Sequence, residues 1–149
     1  YYQYSGKTMD DILTAQEKKD MDVYKTNFFE SGVLMNEGKG VFRFIPFPEK
    51  AQFSTINDMV IDDIDNDGMQ DIIVCGNSND PAVMVGVYDA TSALLLKGDG
   101  SGNFTAVPPA DNGLTVTGES RKMIYQKEKG GTTLIFLKNG AAAQVFVKK

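Results

Sequence analysis

Apolar residues recur along most of this chain in short runs or at alternate positions, and at helical spacing only near its start. The early stretch, residues 8–20, reads as a helical segment of one or two short helices. Thr8 is placed to cap it, Asp10 and Asp11 suit the positive end of its dipole, and Met9, Ile12 and Leu13 give a narrow apolar face expected to pack on its own domain. From Val23 the character changes. Residues 28–35 and 41–45 read as strands joined by the turn Asn36-Glu37-Gly38-Lys39-Gly40, and Pro46 and Pro48 close the second. Residues 58–62 and 71–75 are short, β-branched and apolar, which again reads as strand. Residues 83–88, 93–96, 103–107, 121–126, 132–137 and 144–147 continue the series, with glycine, asparagine and proline marking the turns. The pattern predicts a mainly β protein of antiparallel strands.

Two of these hairpins repeat one another. Leu34, Gly38, Gly40, Phe42 and Pro46 recur as Leu96, Gly100, Gly102, Phe104 and Pro108, an offset of 62 throughout. A fixed-period repeat of short antiparallel strands is the signature of a propeller or array, although this period exceeds the roughly 40–50 residues of common propeller repeats. The long connection through residues 77–91 is expected to hold the excess.

Composition narrows the picture. At 149 residues the chain is one domain or a piece of a larger one. Its start, Tyr1-Tyr2-Gln3, has no methionine or signal peptide, which leads us to expect a mature form or the end piece of a longer protein, with Lys148-Lys149 as its natural end. The net charge of -5 argues against a nucleic-acid partner, because no basic stripe exists to release counterions. It also disfavours an anionic membrane surface, and no apolar run reaches the roughly 18 residues of a membrane span. With no histidine, Ser-His-Asp and Cys-His catalysis and histidine metal sites are excluded. A single cysteine rules out an internal disulfide, and Cys75, at the end of an apolar strand, reads as a buried small hydrophobe.

The chemistry concentrates in Asp63-Ile64-Asp65-Asn66-Asp67-Gly68-Met69-Gln70-Asp71. Carboxylates at alternate places of a tight loop converge on one hard cation, and calcium takes roughly 6–8 oxygen ligands. Gly68 permits the turn that brings in the Met69 carbonyl. Six acidic side chains fall between Asp58 and Asp71, a charge density that is costly without a cation. The loop is no EF-hand: Val74 stands where the bidentate Glu belongs, and the flanks read as strands.

Asp-x-Asp-x-Asp-Gly-x-x-Asp between strands, followed by Leu96-Lys97-Gly98-Asp99-Gly100-Ser101-Gly102-Asn103-Phe104, resembles the FG-GAP/VCBS repeats of integrin-α-like β-propellers. The likeness is to bacterial proteins of the ASPIC/UnbV-associated kind, in their C-terminal portion. It runs through Asn27–Asn36, Ala51-Gln52-Phe53, Gly76-Asn77, Tyr88-Asp89-Ala90 and Gly118-Glu119-Ser120-Arg121, and so covers about residues 8–147. The resemblance implies calcium held by Asp63, Asp65, Asp67, the Met69 carbonyl and Asp71. It also implies about two propeller-type blades in an incomplete ring: residues 21–48 a partial blade, 57–107 a blade with the calcium loop, and 119–147 a partial blade. The remaining blades of a longer chain, a second copy or the N-terminal helix would cover the open sheet edges.

The functional expectation is a non-catalytic, calcium-stabilised module, extracellular, on the cell surface or periplasmic, with protein or glycan ligands. The alternative is a propeller scaffold within a larger enzyme using carboxylate- or calcium-assisted hydrolysis. Asn77, Asp80, Tyr88 and Asp89 form a candidate loop-borne interaction surface, against the plainer reading of turn residues that satisfy their own backbone.

Overall fold

The computed structural model describes residues 5–79, 86–91 and 93–148. Among these residues two short helices, α1 (Met9–Ile12) and α2 (Ala15–Asp20), precede nine strands. These are β1 (Gly32–Gly38), β2 (Val41–Pro46), β3 (Ile56–Asp62), β4 (Asp71–Gly76), β5 (Ala93–Gly98), β6 (Phe104–Val107), β7 (Ser120–Glu128), β8 (Gly131–Lys138) and β9 (Gln144–Lys148). All pairings are antiparallel between neighbours in sequence, giving a two-stranded sheet β1-β2, a four-stranded sheet β3-β4-β5-β6 and a three-stranded sheet β7-β8-β9. No closed barrel forms among the described residues. The expected mainly β, antiparallel architecture is therefore present.

The four-stranded sheet carries a core on each side, one shared with the three-stranded sheet and one with Phe47, Ala51 and Val33. Side chains alternate across a strand, so β4 and β5 feed two cores. Ile73, Cys75 and Ala93 pack with Met123, Leu134 and Phe136 of the three-stranded sheet. Ile72, Val74, Leu94 and Leu96 pack with Phe47 and Ala51, and Val33 of β1 lies against them. Every residue of β4 is buried in consequence, which explains why this strand is a continuous apolar run instead of an alternating one. Polar groups tie the layers as well. The Met123 N–H donates to Asp58 Oδ2 (2.8 Å), and Asn57 Nδ2 donates to the Ser120 carbonyl (2.8 Å).

Several expectations need correction. Strand β1 begins at Gly32, not Phe28. Phe28 instead stacks edge-on against Phe44, ring centroids 4.4 Å apart, and the Gln52 side chain holds the Ser31 backbone by accepting from its N–H and donating to its carbonyl. The helices do not pack on the domain: neither buries a residue, and an extended Leu13 separates them. Each stands on its own N-terminal cap, the Thr8 N–H donating to Asp11 and the Thr14 N–H to Glu17, both at 2.8 Å. The prolines open short helices where only stops were expected. A 3₁₀ turn over Glu49–Gln52 follows Pro48, and α3 (Pro109–Asn112) starts on Pro109, whose missing N–H costs nothing at a first helical position. Of the strand expected over 83–88, residues 83–85 lie outside the described residues; Gly86 and Val87 are irregular, and Tyr88 makes a single bridge to Ser78.

Candidate metal centre

The acidic loop joins β3 to β4 at one end of the middle sheet. Its carboxylates wind the backbone around themselves. Asp63 accepts from the Asp67 N–H through Oδ1 (3.0 Å) and from the Gly68 N–H through Oδ2 (3.0 Å). Asp65 Oδ1 accepts from Asp67 N–H (3.2 Å), and Asp67 Oδ1 from Met69 N–H (2.9 Å). Asn66 and Gly68 both take left-handed backbone, φ 63° and 88°. Gly68 does so without strain and gives the turn the pattern demanded.

Asp71 is the buried member. As the first residue of β4 it accepts from Ile64 N–H across the loop (3.1 Å) and from Gly98 N–H at the end of β5 (2.9 Å), so one carboxylate fixes the loop to two strands. Asp63, Asp65 and Asp71 each offer an oxygen within 4.8 Å of the others. Asp67 stands outside that trio. Its Oδ2 pairs with Lys97 Nζ at 3.0 Å, and the Lys97 ammonium also bonds Asp65 Oδ2. Lys97 holds the Asp67 carboxyl below its usual range, and the bonds to Asp65 and then Asp67 push the lysine upward in turn. Met69 contributes its N–H to Asp67, while its half-exposed side chain lines a shallow cleft with Gly98, Asn103 and Phe104.

Lysines from three strands surround the loop. Besides Lys97 of β5, Lys127 of β7 donates to the Asp63 carbonyl and Asp62 (both 3.2 Å), and Lys148 of β9 to the Ile64 carbonyl (2.9 Å). The Tyr125 hydroxyl and then Lys127 lower the Asp62 carboxyl. No local pattern announces these lysines, which lie 32 to 84 positions from their partners; pairing within the middle sheet brings in Lys97, and the neighbouring three-stranded sheet brings in Lys127 and Lys148. The donors to a metal at this centre would all be oxygens, a hard set that suits calcium and not the thiolate and imidazole sites of zinc.

Of the residues expected on an interaction surface, Asn77 is the one turned inward. Asn77 is buried, 1% exposed, and is a structural joint. Its Oδ1 accepts from Ser54 Oγ (2.9 Å) and Thr91 N–H (3.0 Å), its Nδ2 donates to the Gly118 carbonyl (3.2 Å), and its own carbonyl accepts from Asn57 (3.0 Å). Tyr88 and Asp89 are exposed near it, and Asp80 lies outside the described residues. Cys75 is buried as expected, its thiol pushed up to about 11 by burial and then by Asp58.

Comparison with known proteins returns nothing: no protein-family model, no curated protein and no solved structure matches this chain.

Proposed function

We propose that this chain is a non-catalytic, calcium-stabilised module of the FG-GAP/VCBS type, its sheets serving as propeller-like blades of a secreted or cell-surface protein that engages protein or glycan ligands through loops at the blade ends. The observation that carries the reading is the convergence of Asp63, Asp65 and Asp71 oxygens in a hairpin loop wound by its own carboxylates. A hard dication there would be held by these three, with Asp67 and the Met69 carbonyl as the ligands the resemblance adds. It would neutralise the loop and clamp β3 to β4, so that binding free energy becomes folding free energy. Extracellular calcium fills even sites of about 10⁻⁴–10⁻³ M.

The blade assignment has separate support. Hairpins β1-β2 and β5-β6 pair in the same register at the offset of 62 found in the sequence. Val33↔Ile45, Leu34↔Phe44, Met35↔Arg43 and Asn36↔Phe42 correspond to Leu95↔Val107, Leu96↔Ala106, Lys97↔Thr105 and Gly98↔Phe104. Antiparallel meanders of two, four and three strands fit one partial blade, one four-stranded blade and another partial blade.

Thermal unfolding in excess calcium, in excess magnesium and in chelator tests the proposal. A midpoint raised by calcium and scarcely by magnesium supports it; a midpoint indifferent to all three sinks the metal reading.

A further inference from the structure

Four places in the chain set a glycine directly after an asparagine or aspartate: Asp67-Gly68, Asp99-Gly100, Asn112-Gly113 and Asn139-Gly140. At such a pair no side chain shields the glycine nitrogen, which can reach the preceding side-chain carbonyl carbon and close a cyclic imide. The fold disarms three of them. The Gly68 N–H is engaged by Asp63 Oδ2 (3.0 Å), and the Gly113 N–H by the Pro109 carbonyl at the end of α3 (2.8 Å). The Asn112 amide is also held at both ends, Oδ1 accepting from Leu114 N–H (2.8 Å) and Nδ2 donating to the Val107 carbonyl (3.0 Å). Asp99 is a carboxylate bonded by Ser101 and Asn103, and an ionised oxygen is no leaving group. Asn139-Gly140 differs on every count. The pair is exposed between β8 and β9, and the Gly140 N–H has no hydrogen-bond partner among the described residues. The Asn139 side chain makes one long bond, from Nδ2 to Glu119 Oε2 at 3.4 Å.

We propose that Asn139-Gly140 is a self-modifying site, at which the chain converts its own asparagine to aspartate and isoaspartate, and that the new carboxylate loosens a joint built on Glu119. The Gly140 nitrogen loses its proton to solvent base and attacks Asn139 Cγ. The N–Cγ bond forms, the Cγ–Nδ2 bond breaks, and Nδ2 leaves as ammonia. Water then opens the imide at either carbonyl, giving aspartate or isoaspartate. The sum consumes a water and releases an ammonia, with nothing oxidised or reduced.

Glu119 makes the change matter to the fold. It is buried just before β7. Its Oε2 accepts from Asn79 N–H in the loop after β4 (3.1 Å), its carbonyl accepts from Asn139 N–H (2.9 Å), and its Oε1 pairs with Arg121. One residue thus joins the three-stranded sheet to a loop of the middle sheet. Conversion replaces the donor Nδ2 by a second negative oxygen beside Oε2, while Arg121 is already engaged. Like charges side by side at a buried group repel, and the bond to Asn79 is the one that gives. Isoaspartate adds to this by lengthening the backbone at the same point.

The inference depends on neither calcium nor the blade reading. The full chain is held folded in mildly alkaline heavy-oxygen water, and peptide mapping by mass spectrometry reads the labelled acid formed at each asparagine. Asn139 is expected to convert about tenfold faster than Asn112, and the two rates to converge in urea, where the bonds protecting Asn112 are lost. Equal rates in the folded chain, or an Asn139 that stays intact, would overturn the site. The aged chain and Asn139→Asp should both speed amide exchange at Asn79 by about tenfold. Glu119→Gln removes the charge and keeps an acceptor, so in the Asn139→Asp chain it should return that exchange to the parent rate. Unchanged exchange at Asn79, or a speeding that Glu119→Gln leaves in place, would overturn the role of the joint.

Discussion

Two turns close hairpins at the same end of the middle sheet, and they solve one problem in opposite ways. Residues 98–104 turn around a single acid. Asp99 accepts from the Ser101 N–H and hydroxyl (both 2.8 Å), from Asn103 N–H (3.1 Å) and from Asn103 Nδ2 (2.8 Å). The donors, Asn103 and Ser101 foremost, hold its carboxyl down to about 2. One charge meets neutral donors from its own turn, and the turn is complete in itself. Residues 63–71 bring four aspartates to a loop of similar span, use backbone N–H groups in the same manner, and still carry surplus negative charge, part of which Lys97 meets from a neighbouring strand. The first turn has no use for an ion; the second has the donors and the charge for one.

The sharpest way to break this contrast is to remove each turn's central acid. Asp71→Ala strips the partner from two backbone N–H groups, one of them buried, and should cost about 3 kcal/mol in urea unfolding even in chelator. Asp99→Ala should cost far less and cost the same with or without calcium. Equal losses would mean that the two turns are equivalent after all. Next in size is the ion itself. At a hundredfold excess over Kd, calcium should add about 2.7 kcal/mol and raise the midpoint by several degrees. Asp65→Asn should abolish most of that gain, and Asp99→Asn should keep it. Lys97→Met sharpens the point, because the ammonium competes for Asp65 and Asp67. It should tighten calcium binding by roughly fivefold in a calorimetric titration, the scale of an exposed ion pair. Gly68→Ala should then cost about 1–2 kcal/mol, since φ 88° strains any residue with a Cβ even though open space surrounds it.

The smallest effect is the pH response of the self-contained turn. The Asp99 carboxyl is lowered on folding, so its contribution is complete above the unfolded value of about 3.9 and is lost as pH falls through about 2. The stability difference between the parent and Asp99→Asn should therefore shrink between about pH 4 and pH 2, identically with and without calcium. Melting curves across that window check it.

Much of this was legible in local sequence. Among the described residues, alternating and β-branched runs locate eight of the nine strands closely, because antiparallel neighbours joined by short turns leave their pattern in contiguous residues. The acidic loop was legible for the same reason: its turn is written in adjacent aspartates and one glycine. The first strand was misjudged at Phe28, where two aromatics mimic strand propensity but one stacks on Phe44 and the other faces solvent. The helical segment is legible from Thr8 and its neighbours, whereas its packing is not, since caps and the Lys18–Asp10 pair, not a buried face, hold those short turns. Asn77 looked like a loop residue and is one, yet its bonds reach Ser54, Thr91 and Gly118, and no local signal announces such distant partners. The lysines around the acidic loop escaped notice on the same account.

The double-sided burial of β4 has one last consequence. A strand that is apolar toward both neighbours looks nearly the same after sliding by one residue, so greasy contacts alone leave its alignment ambiguous. Asp71 breaks that degeneracy. It fits at the rim, between Ile64 and Gly98, and would be buried without partners one step inward. The carboxylate thus acts as an alignment peg for the whole sheet. A chain lacking it should show duplicate resonances from mispaired, slowly interconverting sheets before it shows outright unfolding.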